Sequence, residues 1–233
     1  MIFLQPQASS RSLGFQAYEA IRDAIITLQL KPGQSVMEVE LAELLQISRT
    51  PVREAMQMLI AEQLVQVLPQ RTKIVSRISE IKVKESAFVR LSLEQSAFQL
   101  VARQWSSGDA RFQKADKELS ALLQQQMEAA EQHHVQQFLT LDELFHRNIL
   151  QLAGNDTLLE VVYHMRGYLN RFRYLAMNDF ASTKAAVQEH IELLQALKAG
   201  DEAAIATMLK QHLGKLESEI PILKQKYPDY FHN

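Results

Sequence analysis

Turn-forming residues are scarce in this chain: seven glycines and six prolines among 233 residues. Tight turns and phosphate-cradling loops depend on such residues, because a sharp reversal needs a positive or a locked φ. A β-sandwich or a sheet-and-helix enzyme of this length normally uses more of them, so the chain is directed towards helices. Beyond Ser79 the main stop signals are Ser106-Ser107-Gly108, Gly154-Asn155 and Gly200-Asp201, each a helix end followed by a new cap. Apolar spacing between them predicts helices over 80–106, 109–131, 133–153, 157–178, 183–199 and 201–225. Helices of that length on short loops make an all-α bundle of six or seven helices.

The first third has a different grain. Tyr18, Ile21, Ile25 and Leu28 share one face of an amphipathic helix, which Lys31-Pro32-Gly33 ends in a turn. Val39 to Leu45 reads as a short helix, Gln46-Ile47 as a turn, and Ser48 as the capping residue of a helix to about Glu62. Pro51 falls in the first turn of that helix, where a missing N–H costs nothing. Two β-prone runs, Leu64-Val65-Gln66-Val67 and Lys73-Ile74-Val75-Ser76, flank Pro69-Gln70-Arg71-Thr72 and predict a hairpin. Helix, helix, turn, helix and hairpin in that order outline a winged helix-turn-helix. The fold class expected is therefore mostly α, with a winged helix-turn-helix over 1–78 and an all-helical domain over 79–233. Residues 1–12 are polar and irregular and read as a mobile arm.

Composition removes several classes. Cysteine is absent, which excludes disulfide scaffolds, thiolate zinc sites, iron–sulfur clusters and cysteine nucleophiles. A net charge of −2, from 25 Lys+Arg and 27 Asp+Glu, excludes a histone-like polycation. No G-x-G-x-x-G, G-x-x-x-x-G-K-[ST] or G-x-S-x-G occurs. No apolar run approaches the ~18–20 residues of a membrane span, and Met1-Ile2-Phe3-Leu4 lacks the features of a secretory signal, so a cytoplasmic protein without a membrane partner is expected. Histidine is segregated: all seven lie between His133 and His232. Basic residues of the first part are mostly arginines, the side chain suited to phosphate forks and base edges.

Lys31-Pro32-Gly33, followed by the run from Leu41 to Met56 (LAELLQISRTPVREAM), resembles the signature of the GntR family of bacterial transcription regulators. The resemblance covers residues 15–78 and implies a winged helix bound to double-stranded operator DNA as a homodimer. Arg49, Thr50 and Arg53 then stand at the start of the recognition helix, whose N-terminal residues enter the major groove. Arg49 and Arg53 share one face and reach guanine edges or flanking phosphates. Ser48 and Thr50 serve as phosphate hydrogen-bonders beside the positive helix end. Arg71, at the hairpin tip, is the natural minor-groove or phosphate contact. The family usually places glycine after that arginine; Thr72 stands there instead and is expected to widen the turn or fix another geometry.

In the helical part, Asp142 and His146 are four apart, hence on one helix face, while His190 and His212 lie on two further predicted helices. Three neutral imidazoles and a carboxylate suit Zn, Ni, Fe or Mn better than Mg or Ca. This spacing is similar to that of the FCD ligand-binding domain of the FadR subfamily over 80–220, which implies one divalent transition metal per chain, Zn or Ni first and Fe or Mn next. His133, His134, His164 and His232 match no ligand position. Arg90 and Glu94 match the family's R-x-x-x-E: either a surface ion pair, or an arginine facing a pocket and binding a small carboxylate effector. Arg166, Asn170 and Arg173 form a polar stripe that is either a solvated face or a further part of the effector site, Asn170 and Arg173 being the candidates carried forward. The rival readings are a metal-dependent hydrolase, with Glu143 or Glu189 as base, and a helical oligomerisation protein.

Overall fold

Ser12 accepts a hydrogen bond from the Phe15 N–H at 3.2 Å and starts the first helix, α1 (Leu13–Ile26), which carries the apolar face of Tyr18, Ile21 and Ile25. A computed structural model describes residues 12–232, apart from the side chains of His164, Arg166 and Tyr168; the arm expected over 1–12 lies outside the described residues except for Ser12. α2 (Glu38–Leu45) and α3 (Arg49–Ala61) follow, joined by a turn in which Gln46 takes a left-handed φ of 55°. β1 (Val65–Val67) and β2 (Lys73–Val75) pair antiparallel, with Val65 opposite Val75 and Val67 opposite Lys73. A third segment joins this hairpin: Ser35 bridges to Ile74, and Val36 N–H donates to the Lys73 carbonyl at 2.9 Å. Gly33, at φ 81°, donates its N–H to the Val75 carbonyl at 2.8 Å, so the turn after α1 is tied directly to β2. Ile21, Ile25, Val52, Met56, Leu59 and Val75 form the apolar centre of this winged helix.

The chain divides into two compact units. The first ends at Glu80 and takes back the chain from Lys224 onward; the second is Ile81–Leu223. The expected division, 1–78 and 79–233, did not foresee the returning tail. That tail is held by main-chain bonds: Ile78 N–H donates to the Tyr230 carbonyl at 2.8 Å, and His232 N–H to the Ile78 carbonyl at 3.1 Å. Arg77 Nε adds a bond to the Asp229 carbonyl at 3.1 Å, and Phe231 is buried.

The second unit is built from α4 (Glu80–Gln104), α5 (Ala110–Glu131), α6 (Val135–Leu152), α7 (Asp156–Phe180), α8 (Thr183–Ala199), α9 (Glu202–Gly214) and α10 (Leu216–Lys226), with α4 and α10 carrying the chain between the two units. The single helix expected over 201–225 is therefore two, separated at Lys215 by a tightened turn in which Ser218 N–H reaches the Lys215 carbonyl. Capping follows the expected logic at three breaks: Asp109, Asn155 and Asp201 each accept a backbone N–H of the first turn. Phe98, Phe112, Leu119, Phe145, Leu193, Leu197, Ile205 and Leu209 fill one core, drawn from α4, α5, α6, α8 and α9. No helix among the described residues is long and apolar enough to cross a membrane.

Phe231 brings a buried aromatic to the first unit from the far end of the chain. Phe231→Ala should destabilise that unit by about 3 kcal/mol, the usual cost of emptying a buried aromatic site. Chemical denaturation followed by a probe in the first unit measures it; an unchanged midpoint would mean that the tail adds nothing.

Candidate metal centre and nucleic-acid interface

Asp142 and His146 sit one turn apart on the inward face of α6, among Leu141, Phe145 and Ile149, and both are fully buried. His190 enters from α8, beside buried Ala186, Val187, Leu193 and Leu194, and His212 from α9, beside buried Leu209 and Leu213. The ligand-capable atoms of all four residues lie within 4.8 Å of one another. His190 Nε2 is 3.3 Å from His146 Nε2, 3.2 Å from His212 Nε2 and 3.4 Å from Asp142 Oδ1. The structure thus brings together the four residues singled out by spacing.

The other nitrogen of each ring explains why these three face one another. His146 Nδ1 lies 2.6 Å from Glu94 Oε2, His190 Nδ1 lies 2.7 Å from Gln126 Oε1, and His212 Nδ1 lies 2.7 Å from Glu189 Oε2. A carboxylate or amide oxygen only accepts, so each ring carries a proton on Nδ1 and turns its Nε2 inward. Burial pushes His146 down to about 4 despite Glu94 beside it. His190 is held well below the ordinary range, first by burial and then by the neighbouring His212. Both rings are therefore neutral at pH 7, the form that ligates metal.

The Nε2 lone pairs of the two neutral rings, His146 and His190, stand 3.3 Å apart with no proton between them and repel. Asp142 adds to the mismatch: Arg173 Nη2 stands 2.8 Å from its Oδ2, but neither carboxylate oxygen accepts a well-aligned hydrogen bond. Burial raises the Asp142 pKa and the Arg173 charge opposes it, with the carboxyl ending well below the usual carboxylate range and hence ionised. Two ligands roughly 2.0–2.1 Å from a zinc ion at the tetrahedral angle lie ~3.3–3.4 Å apart, close to the spacings found here. Three nitrogens, one carboxylate and a hydrogen-bonded outer shell fit a divalent transition metal.

Beside the histidines lies a cavity of about 70 Å³ whose wall includes Arg90, Phe172, Arg173, His212, Lys215 and Glu219. Arg90 is not a surface residue: it is buried, and its Nε bonds Glu94 Oε1 at 2.7 Å. Arg90 Nη2 and Arg173 Nη1 are buried without hydrogen-bond partners. Asn170 is buried elsewhere: its amide donates to Glu143 Oε1 at 2.6 Å, and it is not on the wall of this cavity. The side chains of Arg166 and His164 lie outside the described residues. His133, His134 and His232 are exposed and apart from the cluster. Spacing alone passed over Gln126 and Lys215. Gln126 was hidden in the run Gln124-Gln125-Gln126, though it falls in register with Leu119, Leu123 and Ala130 on the buried face of α5.

At the other candidate surface, Ser48, Arg49 and Thr50 are exposed at the start of α3, and Arg53 follows one turn on at 65% side-chain exposure. Ser48 occupies the capping position but its hydroxyl makes no capping bond, contrary to expectation, which leaves that hydroxyl available to a ligand. Glu38 lies 3.5 Å from Arg53 Nε and 2.7 Å from Lys73 Nζ, so one carboxylate links the α3 face to the hairpin. Glu38 is lowered mainly by its hydrogen bond to Lys73 and is ionised. At the wing tip Gln70 and Arg71 take φ of 70° and 64°, whereas Thr72 is extended at φ −66°. The left-handed steps fall on the two residues before Thr72, so the absent glycine is bypassed rather than mimicked.

Residues 85–215 match the FCD domain family, and residues 13–75 match the family described as bacterial regulatory proteins, gntR family. The chain is 28% identical over 216 residues to the HTH-type transcriptional repressor RspR of Escherichia coli strain K12, covering 93% of this chain and 92% of that one. It is also 28% identical over 223 residues to the HTH-type transcriptional regulator McbR of the same strain, covering 93% and 95%. The solved structure of E. coli McbR/YncC superposes with a TM-score of 0.75 at 25% identity, over 93% of this chain and 99% of that one. These relatives are named as regulators of transcription, not as enzymes.

The depressed His146 has a consequence for stability. The folded, metal-free chain resists protonation down to about 4, whereas the unfolded ring titrates near its ordinary 6.5. Stability is therefore complete above ~6.5 and falls as pH drops towards 4, by on the order of 3 kcal/mol for this ring. Denaturation of the metal-free chain between pH 7 and 4.5 measures the slope, and a ¹⁵N titration of His146 assigns it. Stability that stays flat over that interval would show the ring to be solvated.

Proposed function

The chain belongs to the gntR family of bacterial regulatory proteins and carries an FCD domain, and from that premise we propose that it is a metal-dependent, effector-controlled regulator of transcription. Asp142, His146, His190 and His212 hold one divalent transition metal, and the cavity beside His212 takes a small carboxylate. The single observation that carries this reading is the convergence of three Nε2 atoms on rings whose Nδ1 sides are already held by Glu94, Gln126 and Glu189. Zn or Ni suits the nitrogen-rich donor set first, with Fe or Mn also compatible. When bound, the ion supplies positive charge and an open coordination position for an anionic oxygen.

The chain's own residues do the rest. Arg90 and Arg173 stand on the cavity wall and each keeps a nitrogen that no protein acceptor uses, a need that an acid group in the cavity would meet. Lys215, already paired with Glu189, adds a third cation at the same wall. Glu94 and Glu189 keep His146 and His212 in the ligating tautomer. The hydrolase alternative has no support in the family to which the chain belongs.

In the first unit, Arg49 and Arg53 read the operator from the exposed face of α3, with Ser48 and Thr50 on phosphate and Arg71 at the wing. Two copies acting as a homodimer read two half-sites related by two-fold symmetry. Arg53 gives up its contact with Glu38 to do so, leaving Glu38 with Lys73.

Two measurements test these assignments. Protein purified without a histidine tag should contain close to one metal per chain, and His190→Ala should lose it; chelation should lower the melting temperature of wild type and leave His190→Ala unmoved. A metal-free wild type that ignores added zinc and nickel would reduce the histidines to a buried hydrogen-bond network. Separately, Arg49→Ala and Arg53→Ala should each weaken operator binding by ~1–3 kcal/mol at fixed salt, with unchanged circular dichroism. Equal binding by both variants and wild type would remove α3 as the reading helix.

A further inference from the structure

Gln126 is an uncharged polar side chain in the most expensive place available to one. It is fully buried on α5, on the face that carries Leu119, Leu123 and Ala130 into the core. A buried amide is costly unless both of its ends are bonded. Both are: Nε2 donates to the Leu141 carbonyl at 3.1 Å, and Oε1 lies 2.7 Å from His190 Nδ1. The carbonyl of Leu141 only accepts, so it decides which end of the amide faces it and turns Oε1 towards the histidine. His190 must then bring the proton on Nδ1 and present a bare Nε2 to His146, His212 and Asp142. Leu141 immediately precedes Asp142, so one amide touches the backbone of one ligand's helix and the ring of another ligand.

We propose that Gln126 is a positioning residue for the metal centre: it locks His190 in the Nδ1–H tautomer and braces that ring against the turn of α6 that carries Asp142. This rests on the metal reading above. Gln126 differs in kind from the other two outer acceptors. Glu94 is paired with Arg90 and Glu189 with Lys215, and both cations reach the cavity wall. Gln126 is neutral, and both of its bonds stay inside the ligand scaffold. It sets the geometry of the centre without adding charge to it.

The test uses the full chain, metal-free and ¹⁵N-labelled at histidine. Long-range ¹H–¹⁵N spectra report the tautomer of His190, and competition with a chromophoric chelator reports zinc affinity. Wild type should carry the His190 proton on Nδ1. Gln126→Met, of similar volume but with neither bond, should shift His190 towards the Nε2–H form and weaken zinc roughly 10- to 100-fold, the usual effect of losing an outer-shell partner. Gln126→Glu keeps an oxygen for His190, so it should keep the tautomer and bind zinc more tightly than Gln126→Met. A His190 proton on Nε2 in wild type overturns the proposal. So does a Gln126→Met variant with unchanged tautomer and zinc affinity. If Gln126→Met does not fold, loss of the tautomer in Gln126→Glu overturns it. A wild type that binds no zinc, yet whose His190 tautomer responds to Gln126→Met, supports the positioning role and overturns the metal reading alone.

Discussion

Three imidazoles turned Nε2 to Nε2 inside an apolar bundle constrain almost everything else in the second unit. His190 Nε2 stands 3.3 Å from the Nε2 of His146 and 3.2 Å from that of His212. Such a cluster persists only because every ring is pinned from behind by an acceptor on another element: Glu94 on α4, Gln126 on α5 and Glu189 on α8. Together with the ligands' own helices, α6, α8 and α9, these draw most of the bundle to one point. The apolar core around Phe98, Phe145 and Leu193 supplies the rigidity, and the polar centre supplies the reason for its particular arrangement.

The charges in this centre are arranged so that no acid is buried alone. Asp142 faces Arg173, Glu94 bonds Arg90, and Glu189 bonds Lys215. An isolated buried carboxylate would take up a proton rather than stay charged. With cations beside them, Asp142 and Glu189 lie below the usual carboxylate range and remain ionised, able to ligate or to orient an imidazole. The same three cations line the cavity, so the groups that stabilise the centre are also the groups an anion in the cavity would meet. An anion bound there would therefore meet His212 as well as the cations that hold the centre, and thermodynamic linkage would make metal and anion affinity depend on each other.

In the first unit the same economy appears at the surface. Glu38 is shared by Arg53 on α3 and Lys73 on β2, so the candidate reading helix and the hairpin are held by one carboxylate. The hairpin itself takes a third partner from Ser35 and Val36, and the tail from Tyr227 to His232 closes on Ile78. Both additions are made by main-chain hydrogen bonds, which any sequence can form and which leave little trace in residue type. Residue type alone therefore does not separate the segment from Lys224 onward from the helical domain that precedes it.

What was legible in the sequence is what local physics writes into it. The 3.6-residue spacing of apolar positions gave the helices, the capping residues Asp109, Asn155 and Asp201 gave three of their starts, and four-residue spacing put Asp142 and His146 on one face. Position-specific motifs carried the four ligand candidates and the arginines of α3. The structure alone decided who faces whom across the chain: Glu94 with His146, Gln126 with His190, and Glu189 with His212, at separations of 52, 64 and 23 residues. It also buried Arg90 and Glu94, which an i,i+4 pattern equally allowed at the surface, and moved Asn170 from the cavity to Glu143. It put the left-handed step of the wing on Gln70 and Arg71 rather than on Thr72. Periodicity reports which side of an element is apolar; the partner of a buried polar atom depends on how distant elements pack, and one sequence read along its length does not encode that pairing in any local pattern.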